Sequence, residues 1–99
     1  MPKIEEELEF SVELEEPNMY RVILHNDDYT TMDFVVEVLM SIFHKSSTEA
    51  VNITMDIHEK GRGVCGVYVY EIAQAKVAQV MALAKENEYP LLASIEEDK

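Results

Sequence analysis

The stretch HNDDYTT, residues 25–31, concentrates hydrogen-bond acceptors. Asn26 offers an amide oxygen, and Asp27 and Asp28 offer carboxylates. Three such groups in a row are suited to a cationic ligand, because each can accept a hydrogen bond from a positively charged donor. The stretch is therefore a candidate binding site for a positively charged group.

Two other uses of these carboxylates are open. Asp27 and Asp28 could act as general acid and base together with His58, which would make the chain an enzyme. The sequence offers no matching set of nucleophile and oxyanion site, so we expect that it is not one. The carboxylates could also merely complement the positive end of a following helix. Thr30 and Asp33 already form a capping-box pattern there, so the acceptors before them exceed what a helix start requires.

Glycine, cysteine and histidine add no further chemical site. The segment GRGVCG, residues 61–66, matches the dinucleotide-binding pattern G-x-G-x-x-G, but it follows a predicted helix and precedes a predicted strand, the reverse of the required order. Cys65, the one cysteine, sits in that strand and is expected to fill the core. His25, His44 and His58 lack metal-ligand spacing. We therefore expect no metal and no cofactor.

The acceptor-rich stretch lies between a predicted strand and a predicted helix. MYRVILH, residues 19–25, is rich in β-branched and aromatic side chains, which is typical of a strand. After the capping box, apolar residues recur at helical spacing and predict a helix with one buried stripe. We also expect Tyr29 to pack against Phe34 across the start of this helix. The stripe consists of Phe34, Val35, Val38, Leu39, Ile42 and Phe43.

The rest of the chain predicts two more helices and two more strands. A second helix starts with a capping box of Ser46 and Glu49 and ends at Gly61. VCGVYVY predicts a second strand, Glu71 opens a third helix, and LLASI predicts a last strand after Pro90. The order β-α-α-β-α-β predicts an α+β fold in which helices cover one side of a small three-stranded sheet. The inward-facing residues expected on the third helix are Ala73, Val77, Val80, Met81 and Ala84.

Composition limits the partners and the compartment. The 99 residues carry a net charge of −12 at pH 7, which disfavours a nucleic-acid partner because its phosphates would be repelled. No apolar run is long enough to span a bilayer, the N-terminus lacks signal-peptide features, and one cysteine permits no internal disulfide. We therefore expect a cytoplasmic protein without membrane contact.

Residues 1–17 hold one lysine and seven glutamates, and we expect a flexible acidic extension there, followed by one folded domain at residues 18–99.

Four segments of the chain resemble the ClpS family of proteolytic adaptors. They are MYRVILHNDDYTTMDFV, IHEKGRGVCGVY, EIAQAKV and ENEYPLLASIEE, and together they span roughly residues 18–97 in the family's order. The resemblance implies a protein that is not an enzyme and that has a three-stranded antiparallel sheet with three helices packed on one face. It also implies binding of N-degron substrates, proteins whose first residue is Leu, Phe, Tyr or Trp. Such substrates would pass to the N-terminal domain of the ClpA unfoldase, which feeds the ClpP protease.

The resemblance gives the acceptors a ligand. A free α-amino group is an ammonium with three donors, and it enters a partly dry site only if those donors are met. The resemblance implies that Asn26, neutral His58, and Asp27 or Asp28 accept these hydrogen bonds. Thr30 is expected to support the backbone of the substrate's second residue.

The resemblance also implies an apolar pocket for the first side chain, with Met32 at its mouth excluding β-branched residues. Thr54 stands where the family usually has a methionine, so we expect a roomier or more polar wall and an altered ranking among the four first residues. Two further departures are Thr31, in place of a common proline, and His25, in place of an apolar residue and expected to be exposed. The implied pocket residues are Met32, Val35, Thr54, Ile57 and Leu91.

Glu71 and Lys76 match family positions on the surface that meets ClpA. Without the resemblance, both would be interpreted as solvent-facing helix charges. We expect a monomeric adaptor. The alternative is an interaction module of another kind, such as a ribosomal-stalk-like domain that recruits a translation factor and has no need of an ammonium site.

Overall fold

The computed structural model of the chain describes residues 17–99. The acidic extension expected at residues 1–17 lies, except for Pro17, outside the described residues. The described part contains strands and helices in the predicted order β-α-α-β-α-β. They are β1 (Met19–His25), α1 (Met32–Ser41), α2 (Ser47–Lys60), β2 (Arg62–Val69), α3 (Tyr70–Glu86) and β3 (Leu92–Asp98).

β1 is the central strand of an antiparallel sheet whose strand order is β2-β1-β3. Successive side chains of a strand point to opposite faces, and on β1 Val22 and Leu24 point into the core that the sheet forms with the helices. The predicted α+β class, with a small three-stranded antiparallel sheet and three helices, is confirmed.

The buried apolar side chains form one cluster between sheet and helices. All six residues of the predicted stripe belong to it, although Ile42 and Phe43 lie beyond the end of α1. Cys65 of β2 belongs to it as well, with 1% of its surface exposed, and this burial raises the pKa of its thiol to about 12. The predicted core role of Cys65 is therefore confirmed, since a thiol with so high a pKa is a poor nucleophile near neutral pH.

α2 begins and ends as predicted. The Glu49 N–H donates to Ser46 Oγ at 3.2 Å, and the Ser46 hydroxyl donates to the Glu49 carboxylate at 3.2 Å. At the other end Gly61 has a φ of 89°, and its N–H donates to the Ile57 carbonyl oxygen at 2.9 Å. This left-handed conformation favours glycine because a Cβ atom would be strained there.

The start of α1 differs from the prediction. The N-cap is Thr31 and not Thr30, and Thr31 Oγ1 accepts a hydrogen bond from the Phe34 N–H at 3.2 Å. Tyr29 is 78% exposed, so the expected packing of Tyr29 against Phe34 is wrong. The ring that packs on Phe34 is that of Tyr89, with 4.6 Å between the ring centroids.

α3 is the longest helix of the described part, with 17 residues. It starts at Tyr70, one residue before the predicted Glu71. Met81 is 39% exposed, so its predicted inward position is wrong. Met81 follows the buried Val80 by about 100° around the helix, which moves it off the narrow stripe that packs on the sheet. Neither α3 nor any other helix within residues 17–99 has the length and apolar content needed to cross a membrane.

Candidate functional site

The loop between β1 and α1 is attached to the C-terminal end of α2. Directly after β1, the Asn26 N–H donates to the carbonyl oxygen of Gly61 at 2.9 Å. Gly61 ends α2, and His58 lies in the last turn of that helix. This backbone hydrogen bond therefore places the start of the acceptor-rich loop beside His58.

Asp27 organises the loop itself. Its Oδ1 accepts hydrogen bonds from the backbone N–H groups of Tyr29 and Thr30 at 2.8 and 2.7 Å, and its Oδ2 accepts one from the Thr30 hydroxyl at 2.7 Å. The Asp side chain here replaces a backbone acceptor and closes a local turn. The carboxylate of Asp27 and the hydroxyl proton of Thr30 are thus committed to the shape of the loop.

The pKa of the Asp27 carboxyl reflects this bonding. Partial burial alone would raise the pKa, but the hydrogen bonds from the Thr30 side chain and from the backbone of Thr30 and Tyr29 outweigh it and hold the pKa below its ordinary value of 3.8. Asp27 is therefore ionised at neutral pH, and its charge adds to the negative potential of the loop.

A hollow of about 280 Å³ opens between this loop, the first turns of α1 and the second half of α2. Its floor consists of three buried side chains, Val35, Thr54 and Ile57, which are 6%, 4% and 2% exposed. Thr54 and Ile57 are three positions apart on α2 and so lie on one side of the helix. The floor is apolar except for the Thr54 hydroxyl.

The rim of the hollow is exposed and consists of Asn26, Asp28, Met32 and His58. In contrast to Asp27, the side chains of Asn26, Asp28 and His58 make no hydrogen bond or ion pair within residues 17–99. Their free acceptors, an amide oxygen, a carboxylate and a ring nitrogen, therefore surround the opening of a hollow with a mostly apolar floor. The arrangement suits a ligand that combines a cationic donor group with an apolar side chain.

The structure brings together nine of the ten residues that the sequence assigned to substrate binding. Leu91 is the exception: it is not among the residues that line this hollow, and its predicted place in the pocket stays a prediction. It is 2% exposed, belongs to the core cluster, and adjoins a separate shallow hollow at the turn between α3 and β3. The nine residues that line the first hollow are Asn26, Asp27, Asp28, Thr30, Met32, Val35, Thr54, Ile57 and His58.

Glu71 and Lys76 lie on α3, away from this hollow. Glu71 is exposed at the start of the helix. Lys76 is half-buried, its Nζ donates to the carbonyl oxygen of Ile42 at 2.7 Å, and it lies 5.7 Å from the centroid of the Tyr68 ring. Lys76 is therefore not simply a solvent-facing charge, because it also ties α3 to the residue that follows α1.

Two features of the site were not predicted from the sequence. His25 is half-buried and shares a hydrogen bond of 2.7 Å with Ser94 Oγ, so the expectation that it is exposed is wrong. It lies at the end of the central strand, where β3 shields it on one side. The hydrogen bonds from Thr30 to the Asp27 carboxylate were not predicted either. An Asp three residues before a Thr is a known signal for a turn that is closed by the Asp side chain.

Within residues 17–99, no group of three or more histidine, cysteine, aspartate or glutamate side chains is placed to hold a metal ion.

Comparison with known proteins identifies the family. The family model described as "ATP-dependent Clp protease adaptor protein ClpS" matches residues 15–94. The chain belongs to the ClpS family. The prediction made from the resemblance is confirmed, and the family is one of adaptors and not of enzymes.

Several ClpS relatives match almost the whole chain. The ATP-dependent Clp protease adapter protein ClpS of Syntrophus aciditrophicus is 59% identical over 90 residues, which are 91% of this chain and 84% of that protein. The ClpS of Acetivibrio thermocellus is 54% identical over 88 residues, which are 89% of each chain. This chain is accordingly an adaptor of a Clp protease.

A solved ClpS structure shares the fold. Agrobacterium tumefaciens ClpS2 bound to L-phenylalaninamide superposes with a TM-score of 0.81 at 35% identity, covering 84% of this chain and 100% of that one. The ClpS fold described above is therefore the same as that of a protein solved with a small amino-acid amide.

Proposed function

We propose that the hollow binds the free N-terminus of substrate proteins whose first residue is Leu, Phe, Tyr or Trp. The chain then delivers these N-degron substrates to the N-terminal domain of the ClpA unfoldase for degradation by the ClpAP protease. The α-amino group would lie among the rim acceptors, and the first side chain would enter the hollow above the floor.

One observation carries this proposal. Asn26, Asp28 and His58 present acceptors without a partner among residues 17–99 around the opening of a hollow whose floor is buried and mostly apolar. An ammonium group has three donors, so it can use all three acceptors. An internal residue of a chain presents one neutral amide donor there and would have to pass its preceding residue through the rim. The site would therefore discriminate a free N-terminus from the rest of a protein.

The ligand of the neighbouring structure supports the same chemistry. L-phenylalaninamide, bound by Agrobacterium tumefaciens ClpS2, combines a free α-amino group with an aromatic side chain. These are the two features that the rim and the floor of the present hollow would recognise.

The hydrogen bonds of the loop support different roles for its two aspartates. The Asp27 carboxylate already accepts three hydrogen bonds from Tyr29 and Thr30, so it would position the loop. Asp28 is exposed at the rim and would contact the ammonium, directly or through water. Thr30 would support the backbone of the second substrate residue through its remaining acceptors, because its hydroxyl proton is held by Asp27.

The expected strength of binding follows from these contacts. Burying a Leu or Phe side chain contributes about 1.5–3 kcal/mol, and each charge-assisted hydrogen bond contributes about 1.5–3 kcal/mol. After the cost of ordering the peptide, the sum is near −8 kcal/mol, which corresponds to micromolar affinity. The hollow of about 280 Å³ is at the small end of ligand pockets and suits a single side chain.

For delivery, we propose that Glu71 and Lys76 contact the ClpA N-terminal domain and that the chain acts as a monomer. Both residues lie on α3, away from the hollow, so a bound substrate would leave this surface free. Exposed Glu71 is the cleaner probe, because Lys76 also holds Ile42. Glu71→Lys should weaken binding of the isolated ClpA domain in calorimetry, whereas Glu86→Lys at the other end of α3 should not. Equal binding by both variants would contradict the assignment.

Fluorescence anisotropy with labelled peptides tests substrate recognition. Peptides that start with Phe or Leu should bind with micromolar or tighter affinity. Peptides that start with Ile or with acetylated Phe, but are otherwise identical, should bind at least tenfold more weakly, because the first is β-branched and the second lacks the ammonium. Equal binding of the acetylated peptide would rule out N-terminus recognition.

A pair of variants tests the role of Asp28. Asp28→Asn removes the charge at the rim and should weaken binding of a Phe-starting peptide by roughly tenfold, as expected for one charge-assisted hydrogen bond. Asp33→Asn is the matched control, since Asp33 is an exposed carboxylate in the first turn of α1 that does not line the hollow. The same loss in both variants would indicate a general charge effect and not a contact.

A further inference from the structure

The floor of the hollow carries a single polar side chain. Of its three buried residues, Val35 and Ile57 are aliphatic, whereas Thr54 has a hydroxyl and is 4% exposed. Thr54 lines the buried floor of the hollow, which under the proposed function would surround the far end of the substrate's first side chain. It is therefore placed to influence which first residue binds best.

The hydrogen bond made by Thr54 determines what it can offer a ligand. Its Oγ1 donates its one proton to the carbonyl oxygen of Ala50 at 2.7 Å, one turn earlier in α2. A hydroxyl whose proton is already donated in a hydrogen bond still has lone pairs, so it can act only as an acceptor towards a ligand. A ligand group that is to bond with Thr54 must consequently bring a donor of its own.

We infer that Thr54 is a specificity-determining residue that makes the hollow prefer aromatic first residues with a hydrogen-bond donor, Tyr and Trp, over Phe and Leu. This inference rests on the proposed function. Tyr brings a phenolic O–H and Trp an indole N–H, whereas Phe and Leu bring no donor on their side chains. The donor would bond to Thr54 Oγ1 while the ring packs against Val35 and Ile57.

The pair Tyr and Phe isolates this effect, because their side chains differ by one oxygen atom. In a wholly apolar hollow the phenol would lose its hydrogen bonds to water without replacement, so Phe would bind more tightly. With an acceptor on the floor the order reverses. A neutral hydrogen bond changes the Tyr/Phe affinity ratio by about three- to tenfold.

Thr54→Val is the decisive variant, because valine keeps the branched shape of threonine and replaces the hydroxyl by a methyl group. Binding of two peptides that differ only in their first residue, Tyr or Phe, is measured by anisotropy with the full chain. The wild type should favour Tyr, and Thr54→Val should lower Tyr binding about three- to tenfold while leaving Phe binding unchanged or improved. Thr54→Ser retains the hydroxyl and should retain the preference.

Two controls keep the test independent of folding and of chain chemistry. Thr48→Val makes the same substitution on the exposed first turn of α2, outside the hollow, and should change neither affinity. A peptide that starts with 4-fluorophenylalanine has a group close in size to the phenol but no donor, so with the wild-type chain it should bind as weakly as the Phe peptide. This measurement requires no variant.

The outcomes separate the inference from the function on which it rests. If Phe and Tyr peptides both bind through a free amino group but Thr54→Val leaves their ratio unchanged, the inference is wrong and the proposed function stands. If the fluorinated peptide binds as tightly as the Tyr peptide, the inference is again wrong, since size and not donation sets the preference. If no peptide with a free N-terminus binds, both are wrong.

Discussion

At the scale of single residues, the adjacent carboxylates of Asp27 and Asp28 differ in the hydrogen bonds that they accept. Asp27 accepts three hydrogen bonds within its loop, whereas Asp28 accepts none within residues 17–99. The loop bonds fix Asp27 and leave the Asp28 carboxylate at the rim. Binding and positioning are therefore expected to be separable by mutation at adjacent positions.

Acid titration should reveal the positioning role of Asp27. Hydrogen bonds hold its pKa below 3.8, so the stabilisation they provide is fully present above that pH and is lost as the pH falls through the lowered pKa. Asp27→Asn should lower the free energy of unfolding by about 1 kcal/mol at pH 7, and the difference from wild type should shrink below pH 3.8. Urea unfolding between pH 7 and 2.5 measures it, with Asp33→Asn as control. A difference that stays constant down to pH 2.5 would argue against these hydrogen bonds.

Met32 is expected to set the exclusion of β-branched first residues. It is 41% exposed at the rim of the hollow, where a long side chain can meet a branch at the substrate's Cβ atom. Met32→Ala should admit Ile- and Val-starting peptides, raising their affinity about tenfold, on the scale of one relieved contact. Met40→Ala, at a similar exposure on α1 but outside the hollow, is the control. If Met32→Ala still excludes Ile- and Val-starting peptides, a residue other than Met32 causes the exclusion.

At the scale of elements, patterns that are local in sequence were predictable and contacts between distant segments were not. The helical spacing on α1 and the cap at Gly61 depend on a few adjacent residues, and both agree with the structure. The shift of the N-cap from Thr30 to Thr31 was missed because Asp27 already holds the N–H and the hydroxyl of Thr30. Residue preferences for the N-cap position do not show which of two neighbouring threonines is used in this way. The burial of Leu91 depends on how the turn after α3 packs, which no local pattern encodes.

The link between α3 and the end of α1 is an example of such a distant contact. Lys76 Nζ donates to the Ile42 carbonyl, which lies at the C-cap of α1 and has no successor in the helix to bond it. Lys76→Met keeps an unbranched side chain of nearly the same length and removes the donor, so it should lower the free energy of unfolding by about 1 kcal/mol. Urea unfolding measures this, with exposed Lys85→Met on the same helix as control. Equal stability of the two variants would show that the bond contributes nothing.

At the scale of the whole molecule, the hollow exists only when three separate segments are folded together. The loop after β1, the start of α1 and the second half of α2 each supply part of its lining. The acceptors Asn26, Asp27 and Asp28 could be recognised in the sequence because they are adjacent, whereas the pocket residues were assigned through the resemblance to the ClpS family. The burial of Thr54 in the floor could not be predicted, because it depends on the packing of α1 against α2.

The net charge of −12 acts over the whole molecule and predicts a salt-dependent association rate. A substrate N-terminus is cationic, and attraction between charges beyond about 10 Å is screened at about 0.1 M salt. The association rate of a Phe-starting peptide with two added lysines should fall several-fold when salt rises from about 20 to 300 mM, and its dissociation rate should change much less. Stopped-flow fluorescence measures both rates. The same peptide with two glutamates should show the opposite trend or none.

Removing residues 1–16 provides the matched test of where that charge acts. These residues hold one lysine and seven glutamates, half of the net charge of the chain. If the charge of the whole molecule steers the peptide, the shortened chain should associate more slowly at low salt and show a weaker salt dependence, while its dissociation rate and its discrimination against acetylated Phe stay the same. If the shortened and full chains associate at the same rate with the same salt dependence, the charges of residues 17–99, including the rim carboxylate of Asp28, are the ones that act on the approaching N-terminus.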